Sequence, residues 1–389
     1  MQPSDITGLR DQIDRIDSDI VRLLSERARL ALEVGRVKGA VGPRVFDPGR
    51  EHQVLDAALN ENRGPLPATA VKRIFVEIIS ACRALQQLTR VAYLGPQGTF
   101  SHVACLDYFG SACELMPQGS IEDIFRQVAR GQADFGVVPV ENSTEGAVGA
   151  TLDELADSQV KTCGETFVHV SQALVSQHPE AADIKTVFSH PQALAQCRTW
   201  LAGNLPHCNL IPMQSTAAAA ARACQEPGSA AVGNPMLAEL FGLQVVARDI
   251  QDHALNQTRF LVIGHQHSAP TGRDKTSIVF STRHLPGALL NALMPLADFE
   301  INLTRIESRP AKDIPWNYIF FVDFEGHLED TKVRKALDAI KPNVHGLKVL
   351  GSYPVGRVPE EKVVAGRERL PIETATDEWP NARRAARRS

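Results

Sequence analysis

The sequence lacks the features that define several classes of protein. Its seven cysteines include no Cys-x-x-Cys pair and are odd in number, which argues against a zinc site or a disulfide framework and favours reduced thiols. No apolar run approaches the length that spans a bilayer, so we expect no membrane partner. The first residues, Met1–Asp5, carry neither a basic segment nor an apolar core, so we expect no signal peptide and a cytoplasmic location.

Signs of nucleic-acid or dinucleotide binding are also missing. The formal net charge is -4, which gives no electrostatic reason to expect a nucleic-acid partner. The glycine-rich turn at residues 95–99 does not fit the G-x-G-x-x-G pattern, so we expect no nicotinamide, and we assign no other cofactor or metal. What remains is a chain of 389 residues, 43% hydrophobic and 22% charged, enough for two or three globular domains.

The N-terminal part of the chain carries a helical pattern. Apolar residues at three- and four-residue steps predict one amphipathic helix from about Asp5 to Lys38, and its length predicts a partner helix or a dimer. Two cations, Arg27 and Lys38, lie on its apolar stripe, roughly 16 Å apart. Because a cation in such a stripe needs an anion, we favour a bound anionic ligand. The alternatives are snorkelling or pairing with Glu26 or Glu51.

Two further helices follow the first. One opens at Asp47, and the other is predicted from Ala68 to about Leu88. The residues predicted to form the buried face of this third helix are Ile74, Ile78, Cys82 and Leu85.

These segments resemble the all-helical chorismate mutase domain. The matching motifs are Leu9-Arg10, Glu26-Arg27, Val34-Gly-Arg-Val-Lys38, Asp47-x-x-Arg50-Glu51 and Gln86-Gln87. The resemblance covers residues 5–90, in a domain placed at 1–90, and implies a three-helix fold that rearranges chorismate to prephenate. Such a Claisen rearrangement needs no nucleophile; it needs a dianion held in a folded shape and charge stabilisation at the ether oxygen.

The same resemblance implies roles for individual cations. Arg10, Arg27 and Arg50 would hold the substrate carboxylates, with the counterpart of Arg10 supplied by the partner subunit. Arg10 lies about 100° around the helix from the line through Arg27 and Lys38, which fits that arrangement.

The resemblance also assigns the neutral and acidic groups of the site. Lys38 and Gln86 would donate hydrogen bonds to the ether oxygen of the breaking bond. Asp47 and Glu51 would hold the ring hydroxyl. Cys82 is a departure, since a hydroxyl residue can stand there, and only a minor polar contact depends on it.

The middle of the chain repeats one pattern, in which an apolar strand leads through a small polar turn into a helix. The four strands are predicted at residues 91–94, 135–140, 186–188 and 230–233. This order is typical of α/β architecture, where polar groups at the carboxyl ends of strands line a cleft. Ser215-Thr216 marks a further helix start. The alternative for each turn taken alone is helix N-capping.

A polar run that feeds into an apolar strand stands at Leu255–Gly264. Thr258 lies where the strand begins, so a rigid backbone can hold its side chain beside a cleft. Alternation along the strand predicts that Thr258 and Phe260 share one face, with Arg259 on the other.

This region resembles the prephenate dehydratase domain. The matching motifs are Gly95-Pro-Gln-Gly-Thr-Phe-Ser101, Val138-Pro-Val-Glu-Asn-Ser143, Ser189-His-Pro-Gln192, Ser215-Thr216 and Thr258-Arg-Phe260. The resemblance covers nearly all of residues 90–265, in a domain placed at 91–268, and implies two lobes, like a periplasmic binding protein, with the site between them. It places the essential threonine of the family at Thr258 and makes prephenate the substrate.

The resemblance implies further substrate-binding residues on the cleft turns. They are Glu141, Asn142, Ser189, Gln192, Ser215 and Thr216. Glu141 competes with Thr258 as the source of the proton for the leaving hydroxyl; its alternative role is at a helix N-terminus.

The residue pattern of the C-terminal part of the chain predicts strands and helices in the order β-α-β-β-α-β, which is ferredoxin-like. Residues 275–353 resemble the ACT domain of phenylalanine-regulated dehydratases, which implies that two such domains pair and bind L-phenylalanine between them. The implied effector residues are Gly287, Ala288, Leu289, Asn302, Glu307, Ser308 and Arg309. The alternative is a structural cap in which Glu307 and Arg309 form a surface ion pair. Residues 355–389 read as a disordered tail.

Taken together, the three resemblances point to the bifunctional chorismate mutase–prephenate dehydratases, acting as homodimers or larger homo-oligomers. One rival is a dehydratase whose helical module only dimerises. Another, of a different class, is an amino-acid-binding sensor, because binding proteins share the central fold. A mutase fused to a dehydrogenase is disfavoured by the missing dinucleotide motif.

Overall fold

The computed structural model describes residues 3–41, 46–178, 180–253, 255–282, 285–311 and 318–357. The side chain of Lys38 and the predicted tail beyond residue 357 lie outside the described residues. Within them, none of the helices has an apolar stretch long enough to cross a bilayer.

The N-terminal module is helical, as predicted. Its described helices are α1 (Pro3–Val41), α2 (Pro48–Glu61) and α3 (Ala68–Ala84). Asp47 caps α2, because its carboxylate accepts a hydrogen bond from the Arg50 amide at 3.1 Å. Pro48 follows in the first turn, where its missing N–H has no intrahelical partner to lose.

Helix α1 leaves its apolar stripe on the surface of the single chain. Ile16, Leu30 and Val37 are each more than half exposed. A contiguous apolar stripe of this length is unfavourable in water and marks an interaction surface.

The middle of the chain forms two lobes, each built on its own sheet. In spatial order, the main strands of the first sheet are β2 (Glu114–Gln118), β1 (Arg90–Leu94), β3 (Phe135–Asn142), β11 (Gln257–Gly264) and β5 (Lys161–His169), with β4 (Gly146–Ala147) paired to β3. The helices of this lobe are α4 (Phe100–Phe109), α5 (Ile121–Ala129) and α6 (Gly149–Asp157). Strand β11 runs antiparallel between β3 and β5, which holds it on both edges.

The second lobe has a smaller sheet. In spatial order its strands are β10 (Gln244–Ala247), β6 (Ala173–Ser176), β9 (Ser229–Gly233), β7 (Thr186–Ser189) and β8 (Asn209–Pro212). Its helices are α7 (Pro191–Gln196), α8 (Arg198–Asn204), α9 (Thr216–Ala223) and α10 (Met236–Phe241), with a 3₁₀ turn at Ala181–Asp183.

The chain crosses between the lobes twice, from β5 to β6 and from β10 to β11. The two crossings lie side by side: the Val170 amide donates to the Asn256 carbonyl at 2.8 Å, and the Ile250 amide donates to the Gln172 carbonyl at 3.0 Å. Thr258 follows the second crossing directly, so it lies at the base of the cleft between the lobes.

The C-terminal domain has the predicted ferredoxin-like order. In spatial order its antiparallel strands are β13 (Leu303–Pro310), β14 (Tyr318–Glu325), β12 (Asp274–Ser281) and β15 (His345–Pro354). Its helices are α11 (Ala288–Asp298) and α12 (Thr331–Ile340), followed by a 3₁₀ turn at Lys341–Asn343. The helices cover one face of the sheet, and Val279, Phe321 and Tyr353 pack from the other face into the core of the first lobe.

Helix α3 is shorter than predicted and buries a different face. It ends at Ala84, so Gln86 lies in the turn beyond it. Ile74 and Leu85, predicted to be buried, are about half exposed. Cys82 is buried as predicted, and the other buried residues, which were not predicted, are Val71, Val76, Ile79, Ser80 and Arg83. The reason is tertiary: this face of α3 rests on α4 of the next domain, a contact that the periodicity of α3 alone does not encode.

The seam between α3 and α4 is closely packed. Gly110 follows α4 with φ at 72°, and a Cβ there would lie 2.5 Å from the Cβ of Ser80. Backbone amides donate hydrogen bonds across the seam: the Ser111 amide donates to Glu77 at 3.1 Å, and the Ala112 amide donates to Ser80 at 3.1 Å. The helical module and the first lobe therefore share one packed wall.

Arg83 is the buried charge of this seam. Its guanidinium donates to both carboxylate oxygens of Glu51 at 2.7 and 2.9 Å, and to the Phe109 carbonyl at 2.6 Å. The rings of Phe46 and Phe109 flank it at 4.9 and 5.7 Å. Removing one partner of a buried pair leaves the other charge without compensation.

We therefore expect Arg83→Met to lower the free energy of unfolding by about 3–5 kcal/mol. Urea denaturation followed by circular dichroism measures this. Adding Glu51→Gln should restore part of the loss, because the uncompensated carboxylate is then gone. Arg22→Met on the exposed side of α1 is the matched control and should change stability by less than about 0.5 kcal/mol. An Arg83 variant as stable as this control would contradict the assignment.

Candidate active sites

Thr258 is the second residue of β11, and the predicted alternation along this strand is confirmed. Phe260 and Val262 pack in the cluster on the α4 side of the sheet, whereas Leu261 and Ile263 pack towards the C-terminal domain. Arg259 points to the same side as Leu261 and Ile263, because its guanidinium contacts residues of the C-terminal sheet.

The side chain of Asn142 fixes the hydrogen bonding of Thr258. Asn142 Oδ1 accepts from the backbone amides of Thr144 and Glu145 at 2.9 and 3.1 Å, which sets the orientation of its amide. Its Nδ2 therefore donates to Asn256 Oδ1 at 2.8 Å and to Thr258 Oγ1 at 2.9 Å. No hydrogen bond from the Thr258 hydroxyl to another described residue is seen. The threonine proton is thus available for donation to a ligand.

A polar contact joins the two lobes above this pair. Glu145, in the turn between β3 and β4, accepts hydrogen bonds from the Gln192 amide of α7. Gln196 on the same helix donates to Glu145 at 3.3 Å and accepts from Gln172 at 3.0 Å. The predicted residue Gln192 is therefore brought to the cleft from the second lobe.

The remaining predicted cleft residues have structural partners. Ser215 caps α9 by accepting from the Ala218 amide at 3.0 Å, and Thr216 begins that helix beside Gly233, where a Cβ would lie 2.9 Å from it. Ser189 is fully buried, and its hydroxyl donates to the Val232 carbonyl at 2.6 Å. Helix capping, the alternative considered for these turns, is observed at Ser215. The Ser189 hydroxyl instead joins β7 to β9.

The position of Glu141 requires a correction. Glu141 and Asn142 belong to β3 and not to the turn after it, so the pleat sends their side chains to opposite faces. Asn142 points to Thr258, while the Glu141 carboxylate accepts from Arg305 of the C-terminal sheet at 2.7 Å. Glu141 is therefore neither beside the Thr258 hydroxyl nor at a helix N-terminus.

The helical module brings Gln86 against α1. A Cβ on Gly35 would lie 2.8 Å from Gln86 Cγ, so the two elements touch because this residue is glycine. Gln86 Oε1 is buried and has no hydrogen-bond partner in the described part of the chain. An unpaired buried amide costs free energy unless a ligand satisfies it. Gly35 is three residues before Lys38, the predicted partner of Gln86.

The predicted acidic residues of this site are engaged with protein groups. Asp47 caps α2, and Glu51 pairs with Arg83. Burial raises the pKa of Glu51, while the charges of Arg83 and, more weakly, Arg27 act in the opposite direction. Arg27 therefore lies near Glu51, one of the partners considered for it.

The other predicted cations differ in exposure. Arg10 and Arg50 are exposed, and Arg27 is half-buried. Arg10 and Lys38 are 28 positions apart on one helix, about 42 Å. One copy of α1 therefore does not bring both residues to a single small molecule. Cys82 is buried among the residues of α3.

The predicted effector residues lie on two elements. Gly287 has φ at 76° and precedes α11, which begins with Ala288 and the half-buried Leu289. Asn302 donates to Glu325 at 3.3 Å, and Ser308 is exposed. The first three residues therefore lie at the start of α11, and the others lie on or beside β13, an edge strand; their role as effector residues stays a prediction.

The surface pair considered for Glu307 and Arg309 is wrong. Arg309 pairs with Asp153 of α6 at 3.2 Å, and Glu307 lies 3.9 Å from Arg305. A Cβ on Gly149 would overlap the Arg309 guanidinium, so this glycine admits the contact. Strand β13 is thereby tied to the first lobe.

Several residues of these sites are not part of the sequence-based assignment. Apart from their polar side chains, nothing in the sequence indicated that Glu145 and Gln196 belong to the site. Asn256 stands two residues before Thr258, so alternation along an extended segment places both side chains on the same face. This spacing could have predicted that Asn256 lies near Thr258. Arg305 lies inside the motif that resembles the ACT domain, but its partner Glu141 is 164 residues away.

The seven cysteines are free thiols. Burial raises the pKa of Cys113 to about 11, and those of Cys163 and Cys197 to about 12. Since only the thiolate reacts, we expect these three to react with Ellman's reagent at pH 8 at least about a hundredfold more slowly than in urea. Their rates should rise about tenfold per pH unit up to pH 10, above the range where an ordinary thiol levels off near its pKa. Mass spectrometry of the modified peptides assigns the rates, and fast labelling of the three at pH 8 would contradict the burial.

The helical module has a buried glutamine oxygen that no described residue satisfies, the two-lobed α/β domain has a threonine at its cleft, and the third domain is ferredoxin-like. Together they define a multidomain small-molecule enzyme. Family models divide the chain in the same way. The model for chorismate mutase type II matches residues 9–87, the model for prephenate dehydratase matches residues 91–268, and the model for the ACT domain matches residues 276–342.

Known proteins extend this match over most of the chain. The bifunctional chorismate mutase/prephenate dehydratase of Aquifex aeolicus is 44% identical over 360 residues, which is 92% of this chain and 99% of that protein. The one from Stutzerimonas stutzeri is 45% identical, over 90% of this chain and 97% of that protein. The crystal structure of prephenate dehydratase from Arthrobacter aurescens in complex with L-Phe matches with a TM-score of 0.63 and 36% identity, over 68% of this chain and 89% of that one. The chain belongs to the family of bifunctional chorismate mutase/prephenate dehydratases.

Proposed function

We propose that the chain rearranges chorismate to prephenate in its helical module and converts prephenate to phenylpyruvate, CO2 and water in its two-lobed domain. The observation that carries the second step is the Thr258 hydroxyl, which accepts from Asn142 and keeps its own proton for a ligand. The proposed domains are residues 1–90, 91–268 and 275–353, with a tail at 355–389. The free thiols support a reducing, cytoplasmic location.

In the mutase step the protein holds and polarises its substrate. Arg27 and Arg50, with Arg10 from a partner subunit, bind the two carboxylates and favour the folded conformer. Lys38 and Gln86 donate to the ether oxygen, where negative charge grows as the C–O bond breaks. Asp47 and Glu51 order the ring hydroxyl, although Asp47 also caps α2 and Glu51 also pairs with Arg83.

In the dehydratase step the ring hydroxyl leaves with a proton while the ring carboxylate leaves as CO2. Thr258 donates the hydrogen bond that helps the hydroxyl depart, and Asn142 orients Thr258. A threonine hydroxyl is too weak an acid to ionise at neutral pH, so aromatisation of the ring supplies most of the driving force. Gln192, Ser215 and Thr216 approach from the second lobe, and closure of the lobes excludes water.

We also propose that L-phenylalanine inhibits the dehydratase through the C-terminal domain. The L-Phe complex of the related dehydratase supports the effector, and the predicted effector residues Glu307 and Arg309 lie on a strand tied to the first lobe.

A homodimer or larger homo-oligomer is part of the proposal. The exposed apolar stripe of α1 supports it, as does the distance of Arg10 from the rest of its own site. Pairing of α1 with its copy would bury the stripe and deliver Arg10 to the partner.

Purified protein supplied with chorismate tests these steps together. We expect chorismate to disappear, phenylpyruvate to form, and L-phenylalanine to slow the second step. A dehydratase with an inactive helical module would use prephenate but not chorismate. A binding protein would bind L-phenylalanine and turn over neither substrate, and that result would overturn the proposal.

A further inference from the structure

We propose that Arg305 of the C-terminal sheet is a positioning residue for the dehydratase reaction and acts on the Asn142–Thr258 pair through Glu141. The inference rests on the proposed dehydratase function and identifies the contact by which the C-terminal domain reaches that site.

Two residue pairs lie next to each other across strands β11 and β3 of the first sheet. Thr258 is in register with Asn142 across β11 and β3, and Arg259 is in register with Glu141. The first pair faces the cleft. The second pair faces the C-terminal domain. Each residue of the catalytic pair is thus the chain neighbour of a charged residue at the domain boundary.

The C-terminal sheet presents a complementary pair. Arg305 and Asp323 are in register across β13 and β14. Arg305 Nε donates to Glu141 at 2.7 Å, and Arg259 Nη1 donates to Asp323 at 2.6 Å. Two strand pairings and two ion pairs therefore close a ring of four charges across the boundary.

The two ion pairs of this ring differ in how deeply they are buried. Arg259, which also contacts Glu165 and Tyr353, pairs with an Asp323 side chain that is 7% exposed. The Glu141 side chain is 39% exposed, and Arg305 is its one ion-pair partner among the described residues. Breaking the Arg259 contact would leave a buried charge on both sides. The Arg305 side chain is only 10% exposed, so Arg305 can release the more exposed Glu141 only where another carboxylate takes its place. The Arg305–Glu141 pair is therefore the one suited to regulation.

An alternative partner for Arg305 stands on its own strand. Glu307 Oε2 lies 3.9 Å from Arg305 Nη2, a buried nitrogen with no hydrogen-bond partner in the described chain. Glu307 is also one of the predicted effector residues. A ligand that engages Glu307 changes the competition between the two carboxylates for Arg305, which moves Glu141 and the neighbouring Asn142.

The test compares Arg305→Met, Glu141→Gln, the double variant and Arg305→Lys in the full-length protein. Arg222→Met, which breaks a surface pair with Glu226 in the second lobe, is the matched control. Mutase activity in each preparation reports that the chain is folded. The measurements are dehydratase kcat and KM on prephenate and the L-phenylalanine concentration for half-inhibition.

We expect both single variants to lower dehydratase kcat about tenfold with KM changed less than about twofold, because the altered group positions the catalytic pair and does not bind substrate. The double variant should be no worse than either single variant. Arg305→Lys should recover part of kcat. Half-inhibition should need about tenfold more L-phenylalanine in the single variants.

Additive losses in the double variant, or kcat equal to that of Arg222→Met, would overturn the inference. If the unaltered protein is not inhibited by L-phenylalanine, the proposed regulation fails, while kcat and the comparison of single and double variants still decide the role of Arg305. If inhibition is present and unchanged in both single variants, Arg305 does not transmit it and the inference fails with the proposed function intact.

Discussion

Replacing Thr258 by alanine is expected to lower the rate of prephenate dehydration by about a hundredfold to a thousandfold. The hydroxyl accepts from Asn142 at 2.9 Å and retains a proton directed at no other described group. Alanine removes that donor and leaves the strand intact, since β11 is paired on both edges. The loss should appear in kcat, because the hydrogen bond strengthens as the hydroxyl departs.

The chain supplies its own control for this variant. Chorismate rearrangement takes place in the helical module, so it should continue at the unaltered rate and prephenate should accumulate. Thr258→Ser keeps the donor and should retain most of the activity, while Asn142→Ala should lose activity through misorientation of the hydroxyl. A purified Thr258→Ala protein that formed phenylpyruvate at nearly the normal rate would remove threonine from the mechanism.

The second large effect is expected from Gln86→Leu. Leucine keeps most of the side-chain volume against Gly35 but removes the amide, so mutase kcat should fall about a hundredfold to a thousandfold. Stability should hold or rise, because Gln86 Oε1 is buried and has no hydrogen-bond partner among the described residues, so its loss leaves none of them unpaired. A loss of mutase kcat without a loss of stability would show that the amide acts in catalysis and not in packing.

The comparison variants for this position are Gly35→Ala and Lys38→Ala. A methyl group on Gly35 would press against Gln86 and should lower mutase activity without touching the substrate. Lys38→Ala should lower it by removing the second donor. All three variants should dehydrate prephenate normally. A Gln86→Leu protein that is unstable yet fully active per folded molecule would show that the amide serves packing alone.

Sequence reasoning succeeded where a pattern is local. The helical module, the strand–turn–helix units, the order of the C-terminal domain and the alternation around Thr258 each follow from spacing that neighbouring residues set. Helix α12 (Thr331–Ile340) stands where the predicted order places the second helix of this domain, because its apolar face and its ends are encoded within one short segment.

It failed where distant segments compete for a side chain. Glu141 was assigned to a turn at the cleft because an apolar run ends before it, but the strand continues for two residues and turns it towards Arg305. The buried face of α3 was displaced by contact with α4. The ion pair of Glu51 with Arg83 was not predicted. In each case the deciding partner is far along the chain, and spacing carries no information about it.

The seam at Gly110 bears on how the two catalysts can be separated. Separating the helical module from the first lobe would expose Val76 and Ile79 and would remove the Phe109 ring and carbonyl from Arg83, leaving Phe46 and Glu51 as its partners. The helical module is therefore not an independent domain that can be removed without altering its surface. Any attempt to transplant it alone has to redesign that flank first, with polar substitutions along α3.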